Sequence, residues 1–311
     1  MRIVVAGLGV QGQKRLRIAG EECVATVDPV NMAAQYRSLA DVALSDYDAV
    51  LACIPDEPKI ELLRYCVEHG KHVLVEKPLW AKNESDIASL EQRAKSRGVV
   101  CYTAYNHRFE PHFVAMRDLL AGGTLGAVYS CRMFYGNGTA RLVRDSVWRD
   151  KGAGVLFDLG SHLLDTCRFW FGDIADDFRL SSVHCFENNA PDHVVLHGER
   201  GRPRIELEMT LLMWRNHFTC DILAEGGSAH IQSLCKWGPS SFTTRKRILP
   251  SGRPPEDTVT LVQDDPTWAL EYAHFKALCE SGAATDLSND LWLHRVLTRL
   301  ADEAESREGA L

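Results

Sequence analysis

RIVVAGLGVQG, residues Arg2 to Gly12, begins as a short β-branched run and ends in glycines spaced Gly7-x-Gly9-x-x-Gly12. The run reads as a buried strand stopped by a glycine turn. The spacing alone is weak, because many loops are glycine-rich. Here it has the setting that gives it meaning: a strand before it, a helical pattern after it, and Asp28 at the end of the next strand, 21 positions beyond Gly7. Gly7 permits the tight turn, Gly9 lets backbone approach a pyrophosphate, and Gly12 lets helix and strand pack closely, with the phosphates at the helix N-terminus. Val10 and Gln11 lie inside the same loop and are expected to touch the cofactor with it. Asp28 would accept hydrogen bonds from ribose hydroxyls and repel a 2′-phosphate. No arginine follows it directly in DPVNM, so NAD is expected rather than NADP.

Outward from this stretch, strand and helix patterns alternate. CVATVD (Cys23 to Asp28), AVLACIP (Ala49 to Pro55), HVLVEKP (His72 to Pro78) and VVCYTAY (Val99 to Tyr105) complete five strands with the first. Between them, DEPKIELLRYCVEHG places Ile60, Leu63 and Val67 on one helical face, and NESDIASLEQRAKSRG does the same with Ile87, Leu90 and Ala94. Apolar strands alternating with amphipathic helices predict a parallel sheet covered on both sides.

After Tyr105 the pattern changes. HFVAMRDLLAGG reads as a connecting helix and Gly154 to Phe171 as another; from about Asp177 to Val262 strands dominate, separated by turn signals such as EGG and PSGRPP. Two helices close the chain. The expected fold is α/β: a Rossmann-type parallel sheet in a dinucleotide-binding domain, residues 1–120, followed by an α+β substrate-binding and oligomerisation domain, residues 121–311, on a large, mainly antiparallel open sheet. Apolar stretches such as Met209 to Trp214 suggest one sheet face buried on a helix and the other on a second subunit, giving a homodimer or homotetramer.

Composition limits the alternatives. Apolar residues make up 45% of the 311 and charged residues 25%, typical of a globular chain, and the net charge of −7 suits neither nucleic acid nor an anionic membrane. The basic run TTRKRI reads as the solvated face of a strand. Ten scattered cysteines form no CxxC pair and several lie in strand-like runs, so they read as small buried hydrophobes in a reducing compartment. There is no signal-peptide pattern and no apolar run of about 18 residues, so the expected location is the cytoplasm.

Two further features point to chemistry. EKP (Glu76, Lys77, Pro78) closes the fourth strand, at the end where open α/β sheets bind ligands. GVLFDLGSHLLD (Gly154 to Asp165) carries Asp158, His162 and Asp165 at i, i+4, i+7, within an arc of roughly 60° on a helical wheel, with Ser161 beside them. That arc holds no Lys, Glu or Arg, and Phe169 continues it, which predicts a buried helix. By pattern alone it reads equally as a polar-faced core helix and as one presenting chemistry to a cleft. The spacing of Asp158 and His162 would suit a metal, but no third ligand is evident and none is expected.

AGLGVQG, GKHVLVEKPL, YNHRFEP and WRDKGAGVLFDLGSHLLD together resemble the glucose–fructose oxidoreductase/inositol dehydrogenase (Gfo/Idh/MocA) family, in the right order over both domains. The resemblance implies that Lys77, Asp158 and His162 are the catalytic positions. Oxidising an alcohol needs a base, and an imidazole titrates near neutral pH, so His162 takes that role. Asp158 would orient it or bond the substrate, Lys77 would hold the reacting oxygen, and Asp165 would support them. Glu76, Lys77 and Pro55 join the expected cofactor contacts; Asn106, with His107 beside it, and Arg149 join the expected substrate contacts. The implied function is hydride transfer between NAD(H) and a secondary alcohol of a sugar, sugar derivative or cyclitol. Some relatives instead oxidise a sugar transiently and eliminate a substituent, and others are non-catalytic ligand sensors. Two departures stand out: Lys59 replaces a common histidine in IPDEPK, and GAG replaces GGG. Arg141, Arg144, Arg149 and Lys151, interleaved with Asp145 and Asp150, read as a solvated loop or as an anion pocket for a uronate or nucleotide sugar.

Overall fold

The computed structural model describes residues 1–146, 149–201 and 203–308. They divide into two compact units, each assembled from two stretches of chain: Met1–Asn106 with Pro266–His294, and His107–Asp265 with Arg295–Leu311.

The first unit contains a five-stranded parallel sheet of β1 (Ile3–Ala6), β2 (Cys23–Val27), β3 (Ala49–Ala52), β4 (His72–Glu76) and β5 (Cys101–Ala104), in the order β2-β1-β3-β4-β5. Every residue of β1 and β3 is buried, as expected for strands covered on both faces. Helices α1 (Val10–Ala19), α2 (Lys59–Glu68) and α3 (Glu84–Arg97) follow β1, β3 and β4. The α2 and α3 faces read from the sequence are the buried ones: Ile60, Leu63 and Val67 in one, Ile87, Leu90 and Ala94 in the other. Gly98 ends α3 in the left-handed conformation (φ +63°).

The units do not follow the single cut after residue 120 drawn from the sequence. Helix α7 (Thr267–Ser281), far along the chain, places Tyr272 and Phe275 in one core with Ile3, Val5, Leu51 and Leu74. The loop after it is fixed to the sheet by Thr285, whose hydroxyl accepts from the Cys101 amide at 2.9 Å and donates to the Val99 carbonyl at 2.6 Å. Helix α4 (Pro111–Ala121) belongs instead to the second unit.

That unit is built on eight strands: β6 (Val128–Gly136), β7 (Phe178–His184), β8 (His193–Gly198), β9 (Arg204–Thr210), β10 (His217–Ala224), β11 (Gly227–Gln232), β12 (Ser240–Lys246) and β13 (Glu256–Leu261). Their order is β13-β12-β11-β10-β6-β9-β8-β7. All neighbouring pairs are antiparallel except β6 and β9. Helix α4 precedes β6, α5 (Ala140–Arg144) and α6 (Ser161–Phe171) lie between β6 and β7 in sequence, and α8 (Ser288–Glu308) is the last described element. The basic run TTRKRI spans the end of β12, as expected of a strand.

The apolar residues of this sheet collect on one face. Phe218 packs 5.0 Å from Phe113 of α4, which packs 5.1 Å from Trp170 of α6. The opposite face carries pairs such as Arg132–Glu206, His230–Asp221 and Arg245–Glu256. Within Met209 to Trp214, Met209 and Leu211 are buried while Trp214 is fully exposed. The second face thus carries charged pairs beside the exposed Leu223.

No helix among the described residues is long and apolar enough to cross a membrane. All ten cysteines are free thiols.

Candidate active site

In the first unit the glycine loop is sterically committed. A Cβ built on Gly7, which sits at φ +89°, would lie 2.2 Å from the Cys53 carbonyl oxygen, and one on Gly12 would lie 1.8 Å from that of Gly7. Both positions exclude any side chain because β1, α1 and the end of β3 meet there. Gly9 is different. Nothing lies within 4 Å of its notional Cβ, and it stands at the start of α1 with no side-chain cap. Free amides facing open space beside a close-packed turn suit a pyrophosphate. Val10 is 77% exposed for an apolar residue, and Gln11 and Pro55 are exposed too.

Asp28 accepts three backbone amides: Leu8 at 2.8 Å on Oδ2, and Val30 at 2.9 Å and Asn31 at 2.8 Å on Oδ1. Burial opposes its charge, but these donors and the nearby Arg37 outweigh it and hold the carboxyl below its ordinary range. The carboxylate thus orders the loop beside the fingerprint and keeps capacity for further donors. Arg37 is absent from the residues directly after Asp28, yet its guanidinium donates to the Asp28 carbonyl at 3.1 Å and the Asn31 carbonyl at 2.8 Å. Folding brings it back through a bridge between Val27 and Tyr36.

EKP is anchored from two sides. Glu76 accepts Arg15 Nε at 2.8 Å, and Arg15 donates through Nη2 to Glu271 of α7 at 2.7 Å. Burial works against the Arg15 charge; the two carboxylates overcome it and raise its pKa. Lys59 is buried, donates to the Pro78 carbonyl at 2.9 Å and pairs with Asp56 at 2.6 Å. The departure from histidine thus ties the IPDEPK loop to EKP. Lys77 itself is half-buried, and its bond to Pro78 is cis. Asn106 is buried, and its amide donates to Thr267 Oγ1 at 2.8 Å. Neither Arg15 nor Lys59 was singled out for this work from the sequence; a basic residue inside an otherwise ordinary helical face was the only available signal.

In the second unit, the helix expected over Gly154 to Phe171 is two structures in series. Leu156–Gly160 is a π turn, and the α-helix α6 begins at Ser161. At Gly154 (φ +49°) a Cβ would lie 2.2 Å from the Pro191 carbonyl, which already accepts the Val155 amide at 2.8 Å. At Gly160 a Cβ would meet Met209 Sδ at 2.9 Å. Contacts at both ends therefore set the path of this turn, and π turns are frequent at functional sites. The periodicity of a uniform α-helix could not show this.

Ser161, His162 and Asp165 are all buried, as the absence of long charged side chains on that arc predicts. His162 stacks on His107, with ring centroids 4.0 Å apart and planes at 20°. Tyr135 of β6 lies 5.5 Å from the His107 ring and 6.2 Å from that of His162. Asp165 sits in a fork with Arg108, whose Nη2 and Nε donate at 2.6 and 3.0 Å. This fixes the turn next to His107. Asp158 in the π turn pairs with Arg149 at 3.4 Å, and both are about one-third exposed. Of the neighbouring charges, Asp150 is structural: its carboxylate accepts the Asn189 amide at 2.8 Å and the Ala190 amide at 2.9 Å. Arg141 and Arg144 lie on α5. Trp148, the first residue of the WRDKGAG motif, is outside the described residues. Among the described residues no group of three His, Cys, Asp or Glu side chains is placed to hold a metal ion.

The fold and the sequence have recognisable relatives. Residues 1–105 match the oxidoreductase family with an NAD-binding Rossmann fold, and residues 113–230 match the GFO/IDH/MocA C-terminal domain. The chain is 29% identical over 128 residues to scyllo-inositol 2-dehydrogenase (NADP(+)) IolW of Bacillus subtilis, covering 40% of this chain and 35% of that protein. It is 27% identical over 195 residues to trans-1,2-dihydrobenzene-1,2-diol dehydrogenase of Bos taurus, covering 58% of this chain and 53% of that one. These matches thus span between about a third and a half of the curated relatives' length. Levoglucosan dehydrogenase, solved with NADH and levoglucosan, shares the fold at a TM-score of 0.80 and 17% identity, over 98% of this chain and 97% of that one.

Proposed function

The chain belongs to the GFO/IDH/MocA oxidoreductase family, and from that premise we propose that it is a dehydrogenase of secondary alcohols on a sugar, sugar derivative or cyclitol, using NAD(H). One observation carries the reading: His162 of α6 and His107, in the turn before α4, form a stacked, buried imidazole pair. A packed core gains nothing from such a pair, whereas a proton acceptor at that place has a use.

The chain's own groups divide the work as follows. Gly7, Gly9, Val10, Gln11 and Gly12 hold the pyrophosphate, and Asp28 takes the ribose hydroxyls, with Pro55, Glu76 and Lys77 completing the cofactor contacts. A nicotinamide held by these residues would supply the two-electron acceptor for a hydride. His162 accepts the hydroxyl proton through a ring nitrogen as the substrate carbinol carbon becomes a carbonyl. Lys77 donates to the reacting oxygen and stabilises negative charge developing on it. Asp158, Arg149 and Asn106 orient the substrate. NAD is favoured because the Asp28 carboxylate would repel a 2′-phosphate. The position of Arg37 beside Asp28 supports NADPH as the second reading, since an arginine there can receive that phosphate. We place the enzyme in the cytoplasm as a homodimer or homotetramer formed through the second unit's sheet. The matches to dehydrogenases of an inositol and a dihydrodiol, and the fold shared with levoglucosan dehydrogenase, support a polyhydroxylated substrate.

The test is a panel of sugars, cyclitols, uronates and nucleotide sugars, scored by NADH and NADPH absorbance with wild type and His162→Ala. Turnover of a panel member that collapses at least about 100-fold in the variant is expected. Cleavage without net change in NADH would replace this reading by redox-neutral elimination. An unchanged His162→Ala would remove the catalytic assignment.

A further inference from the structure

Lys236 lies beyond every motif discussed so far. It sits in a single 3-10 turn, Cys235–Trp237, after β11. That turn is clamped by Glu110, which accepts the Cys235 amide at 3.1 Å and the Cys235 thiol at 3.0 Å. So held, the Lys236 Nζ lies 3.4 Å from His107 Nε2, with the Trp237 and Tyr135 ring centroids 4.9 and 5.9 Å away. Lysine usually carries its ammonium out to water; this one is directed at the partner of His162. Burial holds the Lys236 pKa below the ordinary lysine value, and Asp265, Glu110, Cys235 and Asp158 offset part of that shift. Two ion pairs lie on the neighbouring segments, Arg108 with Asp165 and Arg149 with Asp158.

An ammonium has only donors, so its contact with His107 requires Nε2 to accept, and His107 must then be neutral. A fixed positive charge beside an imidazole disfavours a second one, and the stacked His162 ring feels the same field.

We propose that Lys236 is a positioning residue for the histidine pair: by donating to His107 Nε2 it fixes that ring's tautomer and keeps His107 and His162 neutral, so that His162 is available to accept a proton near pH 7. The proposal rests on the reading of His162 as the base, and its test separates the two.

Full-length wild type, Lys236→Met, Lys236→Gln and Lys236→Arg are compared in two ways. Histidine ring signals are titrated by NMR, with His107→Gln and His162→Gln providing assignments, and kcat/KM is followed from pH 5.5 to 9.5 on the substrate found by the panel. In Met and Gln variants both imidazoles are expected to titrate about one pH unit higher. The acid limb of kcat/KM moves up with them, because a base works only when unprotonated. Activity at pH 6.5 then falls roughly tenfold and converges on wild type at high pH. The Arg variant retains the charge and stays near wild type in both measurements. Unmoved histidine titrations in whichever neutral variant folds would overturn the proposal. Titrations that move while the rate profile stays in place would uphold the role of Lys236 and overturn His162 as the base.

Discussion

Replacing Arg15 by methionine tests the anchoring of EKP most directly. Arg15 is entirely buried, Glu271 is entirely buried, and Glu76 is 14% exposed, with donor distances of 2.7 and 2.8 Å. Arg15 also lies 4.3 Å from the Trp268 ring centroid. Methionine fills much of the same volume but carries no charge. Glu76 and Glu271 then lose the guanidinium that joins them. Breaking a buried pair in this way costs about 3–5 kcal/mol. The sign of its pH dependence is fixed. In the folded variant these buried carboxylates, deprived of the guanidinium, favour taking up a proton more than they do in the unfolded chain. The folded variant binds protons that the unfolded chain releases, and its deficit shrinks as pH falls. Urea unfolding followed by circular dichroism at pH 8.0 and 5.5 measures both quantities. The expected result is a deficit of about 3–5 kcal/mol at pH 8.0 that is clearly smaller at pH 5.5, and that Glu271→Gln in the same chain partly repairs. A loss below about 1 kcal/mol, or an equal loss at both pH values, would refute the argument, since the triad would then behave like a solvated surface pair.

Gly9→Ala and Gly12→Ala should separate binding from folding: with open space at Gly9 the first melts like wild type yet binds NADH at least about tenfold more weakly by fluorescence titration, while the second also loses stability because its methyl would sit 1.8 Å from the Gly7 carbonyl oxygen. Asp165→Asn leaves the Arg108 fork half-made beside a buried group and should cost about 2–4 kcal/mol in urea unfolding; a change under about 0.5 kcal/mol would show that the fork does not hold the His107 turn. Burial holds His72 and His112 below the ordinary histidine range, so the unfolded chain takes up protons near pH 6.5 that the folded chain refuses, and the urea midpoint should drop between pH 7.5 and 5.5. His72 Nδ1 accepts the Val100 amide at 3.0 Å; His72→Asn should flatten part of that slope, and an unchanged slope would assign it to other groups.

Much of this protein was legible as text because the relevant physics is local. A strand covered on both faces must be apolar throughout, a covered helix must be apolar every three to four residues, and a turn against a neighbouring carbonyl must be glycine. From these the five parallel strands, α2, α3 and the roles of Gly7 and Gly12 follow, and the absence of charge on the α6 arc foretold its burial. Contacts between distant positions were not legible. Nothing near Ile3 announces that Phe275 completes its core, nothing near Glu76 that Arg15 and Glu271 share its charge, and nothing near Asp28 that Arg37 returns to it. The turn at Leu156–Gly160 widened to a π turn where Pro191 and Met209 press on it, which a wheel drawn at fixed pitch cannot register. Lys236 lies 129 residues from His107 in a segment without periodicity. Sequence determined which residues must be hidden and which must bend; only the tertiary structure decided which charges meet, because a charge selects its partner by distance in space and leaves no repeat in the chain.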